Sequence, residues 1–255
     1  MRSTLVRRTV LTASAVSLAL LATACGSDAD SKADTKADAK PSAAASSAAP
    51  AAKGKTDAEL AKEIVTQADL PDHVFKAWGA DEIVAATSDK ADCLPLVKVQ
   101  SGAALGTPAG VARTKVTAKP KGASADAAPE DKVKAGLEAL SGTITYLTLA
   151  SYEGKGAEEA FGALKTSGAA CAGGYTVDNG GDKIKISRVG AGAAVTAGDS
   201  ALAYVVEAEG GGRKTTSQLV TVRKGNTLAT FYGLSLSGTA GQPKPVVDAQ
   251  AGKLG

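Results

Sequence analysis

Alternating hydrophobic and polar positions dominate the second half of the chain and predict β-strands there. Strand composition or alternation marks residues 142–152, 174–178, 182–189, 201–208, 215–223 and 227–236. Glycine-containing turns at 210–212 and 224–226 separate the last three of these runs. Because short turns join antiparallel neighbours, the pattern predicts an antiparallel meander.

The first half mixes helical and strand patterns. Thr56 and Glu59 have the spacing of a capping box, and Leu60, Ile64 and Ala68 follow at helical spacing. This helix is expected to end at 69–72. Short strands are predicted at 73–78 and 111–117, with a helix at 88–100 and a loop at 118–132.

Three later segments have helical patterns. A helix is predicted at 130–140, and Pro243 and Pro245 open the last one, whose apolar stripe is Val247, Ala251 and Leu254. The helix at 155–170 places four apolar residues on one face: Ala157, Ala160, Phe161 and Leu164. Together these elements predict one α+β domain over residues 56–255.

The first 24 residues have the pattern of a cleaved export signal. Arg2, Arg7 and Arg8 form a basic start, and residues 9–24 are apolar or small and carry no charge. This apolar run is too short and too weakly hydrophobic for a comfortable membrane span. The Arg7–Arg8 pair leaves twin-arginine export open beside the general route.

Cys25 follows the small residues Thr23 and Ala24, and Gly26 and Ser27 come after it. This pattern resembles the lipobox of bacterial lipoproteins, whose cysteine is acylated and becomes the first residue after cleavage. The resemblance implies a lipid anchor at Cys25 on the outer face of the cytoplasmic membrane. Cleavage after the Ala22–Ala24 motif, which would release a secreted protein, is the alternative.

Residues 25–55 are rich in Ala, Ser, Asp and Lys and contain no large apolar residue. Such a composition buries too little surface to offset the entropy of ordering, so a disordered tether is expected.

The net charge excludes one class of partner. The chain has 29 Lys and Arg residues against 26 Asp and Glu, and the leader holds three of the arginines and none of the acids. The mature chain is therefore formally neutral. Because nucleic-acid binding needs a basic surface, no nucleic-acid partner is expected.

Removing Cys25 from the three cysteines leaves Cys93 and Cys171. An exported protein resides where disulfides persist, so a structural bridge between this pair is predicted. Two free thiols or a redox pair are the alternatives, but the sequence has no C-x-x-C motif.

The sequences CLPL at 93–96 and ACAGGY at 170–175 carry a resemblance to the PknH-like extracellular sensor domain family, which includes free-standing lipoproteins of high-GC Gram-positive bacteria. The order of elements agrees with it: a strand, a helix ending at Cys171, several antiparallel strands and a closing helix. The resemblance implies a curved antiparallel sheet flanked by helices, with a cleft that binds a ligand. No binding residue of the family maps onto a position here.

The sequence offers little catalytic chemistry. His73 is the only histidine, so a His-bearing metal cluster is excluded and any imidazole base would have to be this residue. The carboxylate pairs Glu158–Glu159 and Glu207–Glu209 are interpreted as solvated faces, and Trp78 as a core residue. We therefore expect no enzyme activity, no metal and no cofactor.

The hypothesis from the sequence is a monomeric, membrane-anchored lipoprotein whose domain binds a small ligand or an envelope component. An envelope scaffold that binds a partner protein is the main alternative. A hydrolase that uses carboxylates is a further one.

Overall fold

The computed structural model describes residues 53–120, 126–210 and 212–254, except for the side chains of residues 138–140. The leader, Cys25 and nearly all of the tether therefore lie outside the described residues. The described chain begins at Lys53, whose carbonyl accepts a hydrogen bond of 2.7 Å from the Asn226 amide.

The described residues form nine strands and five α-helices. The strands are β1 (His73–Ala77), β2 (Thr87–Ser88), β3 (Gly110–Ala118), β4 (Thr143–Ser151), β5 (Tyr175–Asn179), β6 (Asp182–Ala191), β7 (Ser200–Gly210), β8 (Arg213–Lys224) and β9 (Thr227–Ser235). The helices are α1 (Asp57–Glu63), α2 (Leu94–Gln100), α3 (Pro129–Ser141), α4 (Gly156–Ala170) and α5 (Lys244–Lys253). None of these helices combines the length and the apolar character that crossing a membrane requires.

All nine strands belong to one sheet, in the order β1-β3-β4-β9-β8-β7-β6-β5-β2, and every neighbouring pair is antiparallel. The meander expected from the sequence runs from β5 to β9. The last strand, β9, then pairs with β4 and so joins the meander to the earlier strands. The α+β fold class predicted from the sequence is confirmed.

The connection from β1 to β2 requires the sheet to curve. These two strands occupy opposite edges, yet Ala77 and Thr87 are only ten residues apart. Ten residues reach at most about 36 Å, whereas eight strand spacings in a flat sheet measure about 38 Å. A 3₁₀ turn at Ala80–Glu82 shortens the reach further. The sheet must therefore curl toward the connection, residues 78–86, which we call the strap.

Helices cover both faces of the curled sheet. The strap, α2 and α4 lie on the concave face, where the buried side chains of α4, such as Leu164, meet Leu219 and Leu228. On the opposite face α1 and α5 pack against Phe231 and its neighbours. Strands β4, β8 and β9 contribute hydrophobic side chains to the core on each face of the sheet. They can do so because successive side chains of a strand point to opposite faces.

The disulfide Cys93–Cys171 fastens the two helices of the concave face. Cys93 directly precedes α2, Cys171 ends α4, and their Cα atoms lie 5.7 Å apart. Nearby, the Ser167 hydroxyl donates a hydrogen bond of 2.6 Å to the Asp92 carbonyl. The two cysteines are 78 residues apart in the sequence. In the chain-entropy model, a disulfide that closes a loop of this length adds about 4–5 kcal/mol to the free energy of unfolding.

Several boundaries differ from the sequence prediction. The segment predicted as one helix at 88–100 contains the end of β2, a 3₁₀ turn at Ala91–Cys93 and α2. Pro95 sits in the first turn of α2, where its missing amide proton costs nothing. The first helix has the predicted capping box but ends at Glu63, so that Ala68 lies outside it and is exposed.

The last helix buries a different stripe from the predicted one. Its buried residues are Val246, Val247 and Gln250, rather than Val247, Ala251 and Leu254. Gln250 is fully buried and links α5 to the end of α1. Its Oε1 atom accepts from the Val65 amide at 2.9 Å, and its Nε2 atom donates to the Glu63 carbonyl at 3.0 Å.

Replacing Gln250 with alanine is expected to lower the free energy of unfolding by about 1–3 kcal/mol, because the Val65 amide and the Glu63 carbonyl lose the buried side chain that hydrogen-bonds to both. Urea denaturation followed by circular dichroism measures the loss. The matched control is Gln242→Ala, which removes one exposed hydrogen bond to the Ala193 carbonyl. Equal effects of the two substitutions would contradict this role of Gln250.

Candidate functional site: the strap groove

A groove of about 330 Å³ lies between the strap and the concave face of the sheet. We call it the strap groove. It is open to solvent along one side and continues into the core at Val97. Its lining is mostly aromatic and aliphatic: Trp78, Glu82, Val84, Ala86, Val97, Gln100, Ser101, Lys115, Tyr146, Val177, Asn179, Ile184, Tyr232 and Leu234.

The curl of the sheet brings distant strands to this groove. Lys115 comes from β3 and Val177 from β5, which are six strand spacings apart in the sheet order. In a flat sheet six spacings would measure about 29 Å, too far for both residues to line one small groove. The site is therefore a consequence of the curvature that the strap imposes.

An aromatic pair with a lysine forms one end of the groove. Trp78, on the strap, meets Tyr146 of β4 edge to face, with ring centroids 5.0 Å apart and planes at 70°. The Lys115 ammonium lies 5.9 Å from the Trp78 centroid and 5.7 Å from the Tyr146 centroid. The negative faces of the rings attract this cation and help to hold it at the groove.

Glu82 neutralises Lys115 and ties the strap to the sheet. Its Oε2 atom accepts a hydrogen bond from the Lys115 ammonium, and its Oε1 atom accepts from the Gly79 amide at 3.1 Å. The bond from Lys115, and then the one from Gly79, lowers the pKa of Glu82. Both side chains are partly exposed, so solvent screening weakens this pair.

Gly102 allows Trp78 to sit where it does. Its φ of +83° favours glycine, and a Cβ atom there would come within 1.9 Å of the Trp78 ring. The Gly102 carbonyl accepts hydrogen bonds from Arg113 Nε at 3.0 Å and from the Thr148 hydroxyl at 3.3 Å. The turn after α2 is thus fixed to the sheet, and Trp78 packs over it with 8 % of its surface exposed.

Some of the remaining polar groups of the groove have hydrogen-bond partners within the protein, and others do not. Gln100 Nε2 donates to the Tyr175 hydroxyl at 2.7 Å, and the Ser101 hydroxyl donates to the Lys98 carbonyl at 2.8 Å. Asn179 Oδ1 is buried and has no hydrogen-bond partner. Burial raises the pKa of Tyr232, so its phenol stays protonated.

A second depression, of about 610 Å³, lies between α2 and α4. Its lining consists largely of small and aliphatic side chains, with Lys98 and Glu159 as its charged residues. We take the strap groove as the candidate site because aromatic rings, aliphatic side chains and a charge pair converge there, the mixture typical of small-molecule sites.

The candidate catalytic residues of the sequence are not brought together. Glu159 lines the second depression, and its neighbour Glu158 lies 4.0 Å from Arg223. His73 is half-buried on the edge strand β1, its Nδ1 atom has no partner, and burial lowers its pKa. Glu207 forms an ion pair with Arg188 at 3.3 Å, and Glu209 lies 3.7 Å from Lys185. In the part of the chain that the structure describes, no three His, Cys, Asp or Glu side chains are grouped to hold a metal.

The sequence identified only one of the residues that shape this site. It singled out Trp78, but interpreted this side chain as part of the hydrophobic core. Lys115, Tyr146 and Tyr232 lie within ordinary alternating strands, and Glu82 lies in a short connection with no motif. No local signal marks them, because only the pairing of remote strands brings them together.

Comparison with solved structures gives a partial likeness. No protein-family model and no curated protein matches this chain. Among solved structures, the extracellular domain of PknH from Mycobacterium tuberculosis is similar over 79 % of this chain and 95 % of that chain, with 11 % identity and a TM-score of 0.41. This is the domain whose family the sequence resembles, but a likeness at this level carries no argument about function.

Proposed function

We propose that this protein is a lipid-anchored extracytoplasmic lipoprotein that binds a small, mainly apolar molecule in the strap groove without chemically changing it. The observation that carries the proposal is the groove itself, in which aromatic rings and aliphatic side chains remain accessible beneath a strap. Its volume falls at the lower end of the range for small-molecule sites.

The apolar lining supports a ligand-binding role. Val84 of the strap is 51 % exposed and Ile184 of β6 is 38 % exposed, although both are large hydrophobic side chains. A ligand that covers them removes apolar surface from water, which favours binding by about 25 cal/mol per Å². Tyr146 and Tyr232 provide flat surfaces at the floor against which an apolar molecule can pack.

A binding role without catalysis fits the chemistry that lines the groove. Glu82 and Lys115 are hydrogen-bonded to each other, so neither offers a free base or nucleophile to a bound molecule. A general acid or base needs a pKa near the working pH, whereas the pKa of Glu82 is lowered. We therefore assign the groove to recognition.

Truncating the groove floor is expected to weaken ligand binding. In a thermal-shift panel of apolar small molecules, hits for the wild-type chain should weaken at least about tenfold in Tyr146→Ala, since an aromatic contact and its buried area are lost. Trp78, the single tryptophan, provides an independent fluorescence readout at the same place.

The control is Tyr204→Ala, which truncates a half-buried tyrosine on the same sheet face but outside the groove. It should lower stability while leaving ligand affinity unchanged. A panel without hits, or hits that survive Tyr146→Ala and fail in Tyr204→Ala, would contradict the proposed site. Protein co-purified from native membranes in place of a small molecule would favour the envelope-scaffold alternative.

The anchor is tested separately at Cys25. Two or more acyl chains give stable membrane attachment, so the wild-type chain is expected in the membrane fraction with acyl mass on its N-terminal residue. Cys25→Ser should move it to the soluble fraction, while Ser27→Ala serves as the control that stays with the membrane. Equal membrane retention of the Cys25→Ser chain, without acyl mass in the wild type, would refute the anchor.

A further inference from the structure

We propose that the ligand of the strap groove carries an uncharged hydrogen-bond acceptor, a carbonyl oxygen, that binds the indole N–H of Trp78 and the hydroxyl of Tyr146. The inference rests on the proposed function and adds the chemical class of the ligand. It follows from the donors that the protein leaves without an acceptor at one end of the groove. We call this end, formed by Trp78, Tyr146 and Lys115, the aromatic end.

Two side-chain donors of the aromatic end have no hydrogen-bond partner. Among the described residues, none accepts a hydrogen bond from Trp78 Nε1 or from the Tyr146 hydroxyl. The unpartnered side-chain polar atoms that are fully buried, in the same part of the chain, are His73 Nδ1 and Asn179 Oδ1. Trp78 Nε1 and the Tyr146 hydroxyl are not among these atoms, so both keep surface that water or a ligand can reach.

The packing of Trp78 leaves its N–H to a ligand. The six-membered ring of the indole packs over Gly102, and only 8 % of the residue's surface is exposed. The five-membered ring, which carries the N–H, lies at the other end of the indole. Since an indole N–H donates and cannot accept, only an acceptor on the ligand can pair with it.

Tyr146 brings a second donor to the same place. Its ring meets that of Trp78 with centroids 5.0 Å apart. In the sheet, Tyr146 lies directly opposite Lys115 of β3 and Tyr232 of β9, so these side chains share the concave face. A carbonyl oxygen has two lone pairs and is therefore suited to two neighbouring donors.

Lys115 adds donors to the aromatic end without adding net charge. Its ammonium has three N–H bonds, and one of them donates to Glu82 Oε2. Glu82 balances the positive charge and lines the groove beside it. A carboxylate ligand would lose its hydration and meet the negative charge of Glu82, which favours an uncharged acceptor.

The rest of the lining accommodates an apolar body. Val84 and Ile184 are large hydrophobic side chains that remain accessible there. Away from the aromatic end, Gln100 Nε2 and the Ser101 hydroxyl donate within the protein. A ligand with an apolar body and a ketone, ester or amide carbonyl at one end matches this arrangement.

Three compounds of one shape test the inference in titrations of the isotope-labelled full chain, followed by nuclear magnetic resonance at the indole N–H of Trp78, the single tryptophan. They are 4-tert-butylcyclohexanone, its analogue with an exocyclic methylene in place of the carbonyl, and 4-tert-butylcyclohexanecarboxylate. The ketone is expected to bind at least as tightly as the alkene, although its oxygen loses hydration. It should also move the indole proton downfield, and the carboxylate should bind more weakly than the ketone.

Matched variants locate the donor. Tyr146→Phe removes the hydroxyl and keeps the ring, so the affinity for the ketone should fall about fivefold relative to that for the alkene. Tyr204→Phe makes the same change on the same sheet face outside the groove, where the hydroxyl donates to the Lys165 carbonyl at 3.4 Å. Its ratio of affinities should stay within about twofold of the wild-type value. The thermal midpoint of each variant shows whether it folds.

Each outcome decides the question. Tighter binding of the alkene than of the ketone, with no downfield shift of the indole proton, overturns the inference and leaves the groove as a binding site. Tighter binding of the carboxylate than of the ketone overturns the uncharged class. An unchanged ratio in Tyr146→Phe, or an equal change in Tyr204→Phe, overturns the assignment to Tyr146. Binding of none of the three compounds contradicts the proposed function and the inference with it.

Discussion

The short connection between the two edge strands constrains the whole fold. Nine residues join Ala77 to Thr87 across a nine-stranded sheet, and they cannot span that sheet if it is flat. The curl that results creates a concave face. On this face α2 and α4 pack against the sheet and fill part of the hollow, and the part under the strap remains open. The candidate site is therefore the portion of the concave face that the helices leave uncovered.

Different interactions hold the parts of this concave face in place. The disulfide Cys93–Cys171 fixes α2 to α4, and Gly102 lets Trp78 approach the turn after α2. These contacts are covalent or fully packed. The strap is held at Trp78, which packs against Tyr146, and at the partly exposed pair of Glu82 and Lys115, which is weak by comparison. The cover of the groove is thus firmly packed at its Trp78 end and more weakly held at Glu82.

Sequence patterns predicted local structure well and remote contacts poorly. The capping box at Thr56, the alternation of β7 to β9 and the apolar face of α4 follow from the spacing of neighbouring residues, and the structure has them. The insertion of β9 between β4 and β8, and the placement of β1 and β2 at opposite edges, have no local signal. Since the groove depends on those pairings, its residues could not be identified beforehand.

The most direct test of the strap constraint is a distance measurement across the sheet. Spin labels at Lys76 of β1 and Lys183 of β6, both exposed, report this distance by pulsed electron paramagnetic resonance in the Cys25→Ser background, where the other cysteines are bridged. Inserting Gly-Ser-Gly-Ser between Val84 and Ala85 adds up to about 13 Å of reach. The account predicts a longer and broader distance distribution in the lengthened chain than in the parent. An unchanged distribution would show that the curvature does not depend on the strap and would contradict the account.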